Sequence, residues 1–292
     1  MSQNWANETT EQLLSRNLIQ PGICLILGAS DTGKTTLVTT LAMRLAERYS
    51  VGIVDADIGQ SHIGPPATVG WAVVENAQST GWLTPFDFSK LPADGISFVG
   101  DITPVGHLLQ FTAAIVQCVE RASKAASLII IDTPGFVNGS AATVLWWDVQ
   151  RLLQPELILA VQKNDELNEI LVGLQSFDLR IERIKSPPQM LFKSPQARQN
   201  YRKEQFGKYF RDSCIYNISL GKVAVQTGRN LNSDSLTNRL VALRDGKGVD
   251  RAIGLIMDWQ QGKEIVVVKA PKIDTNQIRC VVIGDVTVDT DG

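Results

Sequence analysis

The sequence predicts an α/β fold in which helices cover both faces of a parallel sheet, followed by a basic lid helix and a small C-terminal all-β domain. Three observations carry that expectation. Short apolar runs of strand length alternate with segments of helix length in the first part of the chain, the signature of a buried parallel sheet. A glycine-rich loop, "GASDTGKTTL" (28–37), joins the first such run to the first helical segment. Beyond "KSPPQMLFKSP" (185–195), where prolines break any helix, the pattern becomes a basic helix and then strand runs separated by turn residues.

Within an N-terminal segment of 1–20, residues 7–18 can form a short amphipathic helix leading into "PGICLILG". The core then spans 21–186. Apolar runs at 22–27, 51–55, 96–99, 127–131 and 156–161 read as buried strands. Helical patterns fall between or after them at 34–48, 106–125, 141–153 and 165–175. Residues 71–84, "WAVVENAQSTGWLT", read as a hairpin inserted between the second strand and the third. A lid segment occupies 187–212, with a polar, basic helix at 196–211 drawn from "ARQNYRKEQFGKYFRDS". The β domain covers 213–292, its strands drawn from "CIYNISL", "VAVQTG", "LVALRD", "AIGLIMDW", "EIVVVKAP" and "IRCVVIGDVTVD".

Composition narrows the class without naming it. Hydrophobic residues at 44% and charged residues at 20% describe an ordinary globular protein of 292 residues. A net charge of −2 gives no overall pull toward nucleic acid. The polar start "MSQNWANETTEQ" lacks the plan of a signal peptide, and no apolar run approaches the roughly 18 residues of a membrane span. Cys24, Cys118, Cys214 and Cys280 have no paired spacing, so reduced thiols in a cytoplasmic protein are expected. His62 and His107 likewise lack metal-ligand spacing.

Gly28, Gly33, Lys34 and Thr35 fit G-x-x-x-x-G-K-(S/T) after a strand and before a helix, which identifies a P-loop NTPase sheet. Glycines let the backbone curl so that its N–H groups point at phosphate, and the helix adds its positive dipole end. Lys34 reaches the β- and γ-phosphates as a solvent-facing group, and Thr35 offers a hydroxyl to Mg²⁺. Ser30, Asp31, Thr32 and Thr36 complete the stretch that touches nucleotide. Asp55 and Asp57 end the second strand in "VDADIGQ", and Asp132 ends the fourth in "LIIIDTPG". Acids at the carboxyl ends of strands face the ligand crevice of an open α/β sheet and are costly to bury without a partner. Asp55, Asp132 and Thr35 are the candidate Mg²⁺ positions; which of Asp55, Asp57 and Asp132 acts as base stays open on spacing alone. "DTPG" (132–135) and "QKND" (162–165) also suit a GTPase, although Gln162 stands where a guanine-reading Asn is wanted.

"GASDTGKTTL", "VDADIGQS", "FVGDITPVGHLL", "IIIDTPGFVNG", "QKNDELNEIL" and "RQNYRKEQFGKYF" occur in that order. Over roughly residues 21–212 this set resembles the P-loop polynucleotide 5′-hydroxyl kinases of RNA processing, and the short prokaryotic members in particular. The resemblance implies an ATP- and Mg²⁺-dependent kinase acting on RNA 5′ ends, with single-stranded DNA as a second acceptor. It assigns Asp57 to the 5′-hydroxyl, Gln60 to the acceptor end and Thr103 to a clasp on the acceptor strand. Phe136 takes a position where eukaryotic relatives place a base-stacking tryptophan, and His107 is expected as a polar neighbour of the clasp. Arg198 and Arg202, four apart and so on one helical face, become lid arginines over the triphosphate. They lie in a basic stretch: residues 178–211 carry +6, leaving −8 for the rest of the chain. A nucleotide-binding scaffold of an RNA-processing assembly, with little transfer activity, is the other expectation.

Overall fold

The structure is a computed structural model that describes residues 2–74, 91–188, 192–228 and 236–288. The rest of the hairpin expected over 71–84 falls outside them; its first residues belong to a strand. In chain order the elements are α1 (Ser2–Ser15), β1 (Gly22–Leu27), α2 (Lys34–Leu45), β2 (Val51–Asp55), β3 (Thr68–Val74) and β4 (Gly95–Phe98). There follow α3 (Leu108–Ala122), β5 (Leu128–Asp132), α4 (Ser140–Leu153), β6 (Leu157–Gln162), α5 (Asn168–Leu174), β7 (Arg180–Lys185) and α6 (Pro195–Tyr209). Strands β8 (Cys214–Ser219), β9 (Ala224–Gln226), β10 (Arg239–Asp245), β11 (Asp250–Gln260), β12 (Ile265–Ala270) and β13 (Ile278–Thr287) complete the described chain.

The five strands β7-β6-β1-β5-β2 are parallel, and their alternating side chains supply two cores. Leu25, Leu27, Ile129, Ile131, Ile158 and Ala160 face α3, α4 and α5 with Phe111 and Trp146. Cys24, Ile26, Leu128, Ile130, Leu157 and Leu159 face α1 and α2 with Leu13, Leu37 and Leu41. Every strand between two helical layers must be apolar on both faces, which is why these runs read as continuous rather than alternating.

Two features depart from the expected parallel order. Strand β3 runs antiparallel between β2 and β4. Only residues 56–67 separate it from β2, with no helix to carry the chain back to the other end, so it returns beside its predecessor. Strand β7, "RIERIK", lies at the sheet edge with mostly exposed or half-buried side chains, and its charges hide it from an apolar pattern.

The C-terminal strands adjoin the main sheet where Asp250 pairs with Ile96, and the Asp250 carboxylate accepts the Phe98 N–H at 2.7 Å. Two residues beyond Phe98, the Gly100 carbonyl accepts the Asp285 N–H at 2.7 Å. Helix α6 begins sharply, because Pro195 occupies its first turn and the Ser194 hydroxyl accepts from the Ala197 N–H at 3.1 Å. Its other end is anchored: Phe206 and Phe210 pack with Leu240, Ala242, Ile253 and Leu255 of the C-terminal strands.

Candidate active site

Strand β1 delivers the glycine loop to the start of α2. Gly33 has φ +94°, a conformation open to glycine at little cost, and it turns the chain into the helix at Lys34. The Lys34 ammonium hydrogen-bonds the Ala29 carbonyl at 2.8 Å across the loop. This lysine is 6% exposed, which corrects the expectation of a solvent-facing group. Burial lowers its pKa, while the charges of Asp132, Asp57 and Asp31 oppose that fall.

The strand-end acids have different partners. Asp132 ends β5, and its Oδ2 accepts the Thr35 hydroxyl at 2.6 Å. Its Oδ1 is buried without a partner among the described residues. Burial first, and then the Asp55 charge, push the Asp132 carboxyl up to about 7, while Lys34 and the Thr35 hydroxyl hold it down. Asp55 is equally buried but occupied on both oxygens. Its Oδ1 accepts the Asp57 N–H at 3.1 Å, and its Oδ2 accepts the His62 and Ile63 N–H groups at 2.5 and 2.9 Å. Burial raises Asp55 to about 7 as well, partly offset by the Ile63 and His62 bonds. Asp55 thus ties down the 57–63 loop.

That tether presents Asp57. Its Oδ1 accepts the Gly59 and Gln60 N–H groups at 3.2 and 3.0 Å, which fixes the carboxylate. Asp57, Gln60 and Ser30 border two adjoining cavities. One, of about 240 Å³, is lined by residues 30–36 of the glycine loop, His62 and Lys193. The other, of about 280 Å³, is lined by Thr103, Phe136, Arg198 and Arg202. Gly135 lets the "DTPG" loop close on the glycine loop: a Cβ there would land on Ser30. Phe136 is half-buried and packs on the core beneath the second.

Helix α6 crosses this boundary. Arg198 Nη2 donates to Asp31 Oδ2 at 2.6 Å, joining α6 to the glycine loop. Arg202 lines the second cavity, and burial together with the nearby Arg198 charge lowers its pKa. Lys193, Tyr201 and His62 were not anticipated as site residues. Lys193 Nζ donates to Gln60 Oε1 at 3.1 Å, and its N–H donates to Asp31 Oδ2 at 3.3 Å. Tyr201 donates to the Ser61 carbonyl at 2.9 Å, and its ring lies 5.7 Å from that of His62. A signal existed for Lys193 and Tyr201, since one immediately precedes the helix cap and the other lies between the two arginines.

His107 closes the 100–107 loop, with Nε2 3.4 Å from Asp101 and 3.2 Å from Asp285. Thr103 accepts the Val105 N–H at 3.3 Å within the same loop. The "QKND" segment folds on itself, with Glu166 accepting the Lys163 and Asn164 N–H groups at 2.7 and 2.8 Å.

A glycine loop leading from β1 into α2, with a strand-end aspartate on the hydroxyl of the following threonine, defines a P-loop nucleotide-binding protein. The chain belongs to the family described as mRNA cleavage and polyadenylation factor CLP1 P-loop, whose model matches residues 28–212. It is similar to the polyribonucleotide 5′-hydroxyl-kinase of Pyrococcus abyssi, 35% identical over 74% of this chain and 58% of the relative. The corresponding protein of Thermococcus kodakarensis is 30% identical over 89% of this chain and 70% of its own. The chain spans somewhat under three fifths of the length of the Pyrococcus abyssi relative. Among solved structures, a Clp1p–Pcf11p complex superposes with TM-score 0.69 at 14% identity, covering 96% of this chain and 77% of that one, and so shares its fold. No helix among the described residues is long and apolar enough to cross a membrane.

Proposed function

We propose that the protein transfers the γ-phosphate of ATP to the 5′-hydroxyl of RNA, with single-stranded DNA as a chemically equivalent acceptor. The observation that carries this reading is the position of Asp57 on the shared wall of the two cavities. One cavity is lined by the phosphate loop and the other by the clasp, Phe136 and the lid arginines. A hydrolase needs only the first, with room for water; a second cavity walled by an aromatic and two guanidiniums suits a polynucleotide end.

In this mechanism the loop N–H groups and Lys34 hold the β- and γ-phosphates. The Asp132 carboxylate, with Oδ2 on the Thr35 hydroxyl and Oδ1 orphaned, fits a divalent cation, which Thr35 and Asp132 would hold. When bound, Mg²⁺ neutralises charge on the phosphate oxygens. Asp57 accepts the proton of the 5′-hydroxyl as that oxygen forms its bond to the γ-phosphorus. The bond from the γ-phosphorus to the bridging oxygen breaks, and ADP leaves. Arg198 and Arg202 stabilise charge on the moving phosphoryl group. Thr103 and Gln60 orient the acceptor end, and Phe136 offers its ring to a terminal base. A cytoplasmic setting is part of the same proposal, on the scattered spacing of the four cysteines in the sequence.

The test is incubation with γ-labelled ATP and 5′-hydroxyl RNA and DNA oligonucleotides. Label on the RNA 5′ end is the expected result. GTP hydrolysis without labelled product would replace the kinase with a GTPase, and nucleotide binding with neither would leave a scaffold.

A further inference from the structure

We infer that Trp5 of the N-terminal helix is the platform for the base of the bound nucleotide, in a cavity between α1 and the end of β7. The inference rests on the nucleotide-binding reading above and extends it to a region for which the motifs imply nothing.

The phosphate loop occupies the carboxyl end of β1. Ligands of open α/β sheets lie outside those strand ends, so a nucleoside attached to the phosphates must extend over neighbouring ends. In the direction of β6 and β7 the surface is not bare. Trp5 lies against the phosphate loop itself: a Cβ on Gly33 would meet its ring at 2.9 Å and Pro187 at 3.5 Å. The indole is held in place, because its N–H donates to the Lys185 carbonyl at 3.0 Å. A ring fixed by a hydrogen bond to a strand end, one residue from Lys34, is a preorganised surface rather than a mobile one.

Beside it opens a cavity of about 450 Å³, bordered by Trp5, Glu8, Gln12 and the Lys185–Ser186–Pro188 turn. That volume falls within the roughly 300–1,000 Å³ of small-molecule sites. Its floor is partly apolar, through Leu13 and Ile184, and the Arg16–Glu182 ion pair borders it. Ser186 is tied to the phosphate loop, its hydroxyl donating to the Thr32 carbonyl at 2.9 Å, so the phosphate cavity and this one share a rigid partition. An aromatic face, an apolar floor and polar rim groups are what a flat heteroaromatic base requires. Glu8 and Gln12 supply acceptors for an exocyclic amino group.

Stacking tolerates different bases, so Trp5 should add affinity for purine nucleotides generally and leave the phosphates to the loop. Binding is measured by calorimetry for ATP, GTP and inorganic tripolyphosphate, the last serving as a probe with phosphates and no base. Trp5→Ala is expected to weaken ATP and GTP by about 5- to 100-fold, the range of one lost aromatic–base stack. Tripolyphosphate should be little changed, and Trp5→Phe should restore most of the loss. Melting curves establish that the variants fold. Equal weakening of tripolyphosphate would overturn the proposal, because Trp5 would then merely prop the phosphate loop. Unchanged ATP affinity in folded Trp5→Ala would overturn it too. Selective loss of base-bearing ligands, in a protein that transfers no label to RNA, would support the base site and sink the kinase reading instead.

Discussion

The phosphate-loop frame and helix α6 border the same pair of cavities but are held in opposite ways. Lys34, Thr35, Asp55 and Asp132 stand at the ends of strands and the start of α2, and both aspartates are fully buried. Their geometry is inherited from the two apolar cores. Helix α6 has one buried residue, Phe206, and among the described residues the helix and the Lys193 that precedes its cap reach the frame through polar contacts of Arg198 and Lys193 with Asp31, of Lys193 with Gln60 and of Tyr201 with Ser61. Its far end rests on the C-terminal strands through Phe206 and Phe210. A region fixed by burial keeps its shape with or without ligand. A region fixed by a few polar contacts at one end and an apolar anchor at the other can swing about that anchor. The first should therefore govern binding, and the second the rate.

The largest effects test that division directly. Arg202→Ala is expected to lower kcat by about 10³-fold or more while leaving the ATP Kd nearly unchanged, as for arginines that meet charge only in the transition state. Arg202→Lys should rescue poorly, since an ammonium lacks the planar fork. Lys34→Ala is expected to lose both transfer and ATP affinity, because the lysine belongs to the frame. Transfer kinetics beside calorimetric ATP binding check both. If Arg202→Ala weakens ATP as much as it slows transfer, the lid belongs to the binding frame and the contrast fails.

A smaller effect separates two acids two residues apart. Asp57→Asn keeps the loop and removes the proton acceptor, so turnover should fall about 10²-fold with nucleotide affinity retained. Asp55→Asn replaces an acceptor for three backbone N–H groups, and its signature is a lower melting temperature with disordered presentation of Asp57. Melting curves and single-turnover rates for both variants decide the assignment. A stable, slow Asp55→Asn beside a fast Asp57→Asn would reverse it.

Burial of the frame also has a pH signature. Asp55 and Asp132 are raised from 3.8 to about 7, so between about pH 4 and 7 the folded protein holds protons that the unfolded chain releases. Stability of the ligand-free protein should accordingly fall as pH rises through that window, by at most about 1.4 kcal/mol per pH unit for each carboxyl. Urea denaturation from pH 5 to 8 measures it, with Asp132→Asn flattening part of the slope. A flat profile would show that the frame is better solvated than its burial implies.

Much of this was legible in the residues. Runs such as "CLIL", "LIII" and "LILAV" announce buried strands because helices cover both faces, and the glycine loop declares its own position between strand and helix. The start of α6 was legible from Pro195, and the shared helical face of Arg198 and Arg202 from their spacing. Less visible was the antiparallel β3, since direction is set by the length of the connection and not by strand composition. The division of labour between Asp55 and Asp57 was also hidden. Both are aspartates in "VDADIGQ", and only the fold shows one buried among backbone donors and the other at a cavity wall. Lys193 and Tyr201 escaped as site residues because a lysine before a helix and a tyrosine within it have many other uses.

The smallest expected effect concerns the contact that joins the two regions. Asp31 lies in the phosphate loop with φ +56°, and its Oδ2 accepts both the Arg198 guanidinium and the Lys193 N–H. An incoming triphosphate competes with this carboxylate for Arg198, and it also meets a negative charge within the cavity that receives it. Asp31→Asn keeps the left-handed conformation accessible, because asparagine tolerates it better than most residues. The substitution removes the charge and loosens the latch. ATP affinity should rise by about 3- to 10-fold at low salt, the scale of one repulsive unit charge several ångströms away in a partly solvated site. Added salt should shrink the gain, as screening does for exposed charges. Calorimetry at two ionic strengths measures it, with tripolyphosphate responding in the same direction. A fall in ATP affinity would mean that the Asp31–Arg198 pair shapes the phosphate loop, making the lid's near end part of the frame rather than a latch upon it.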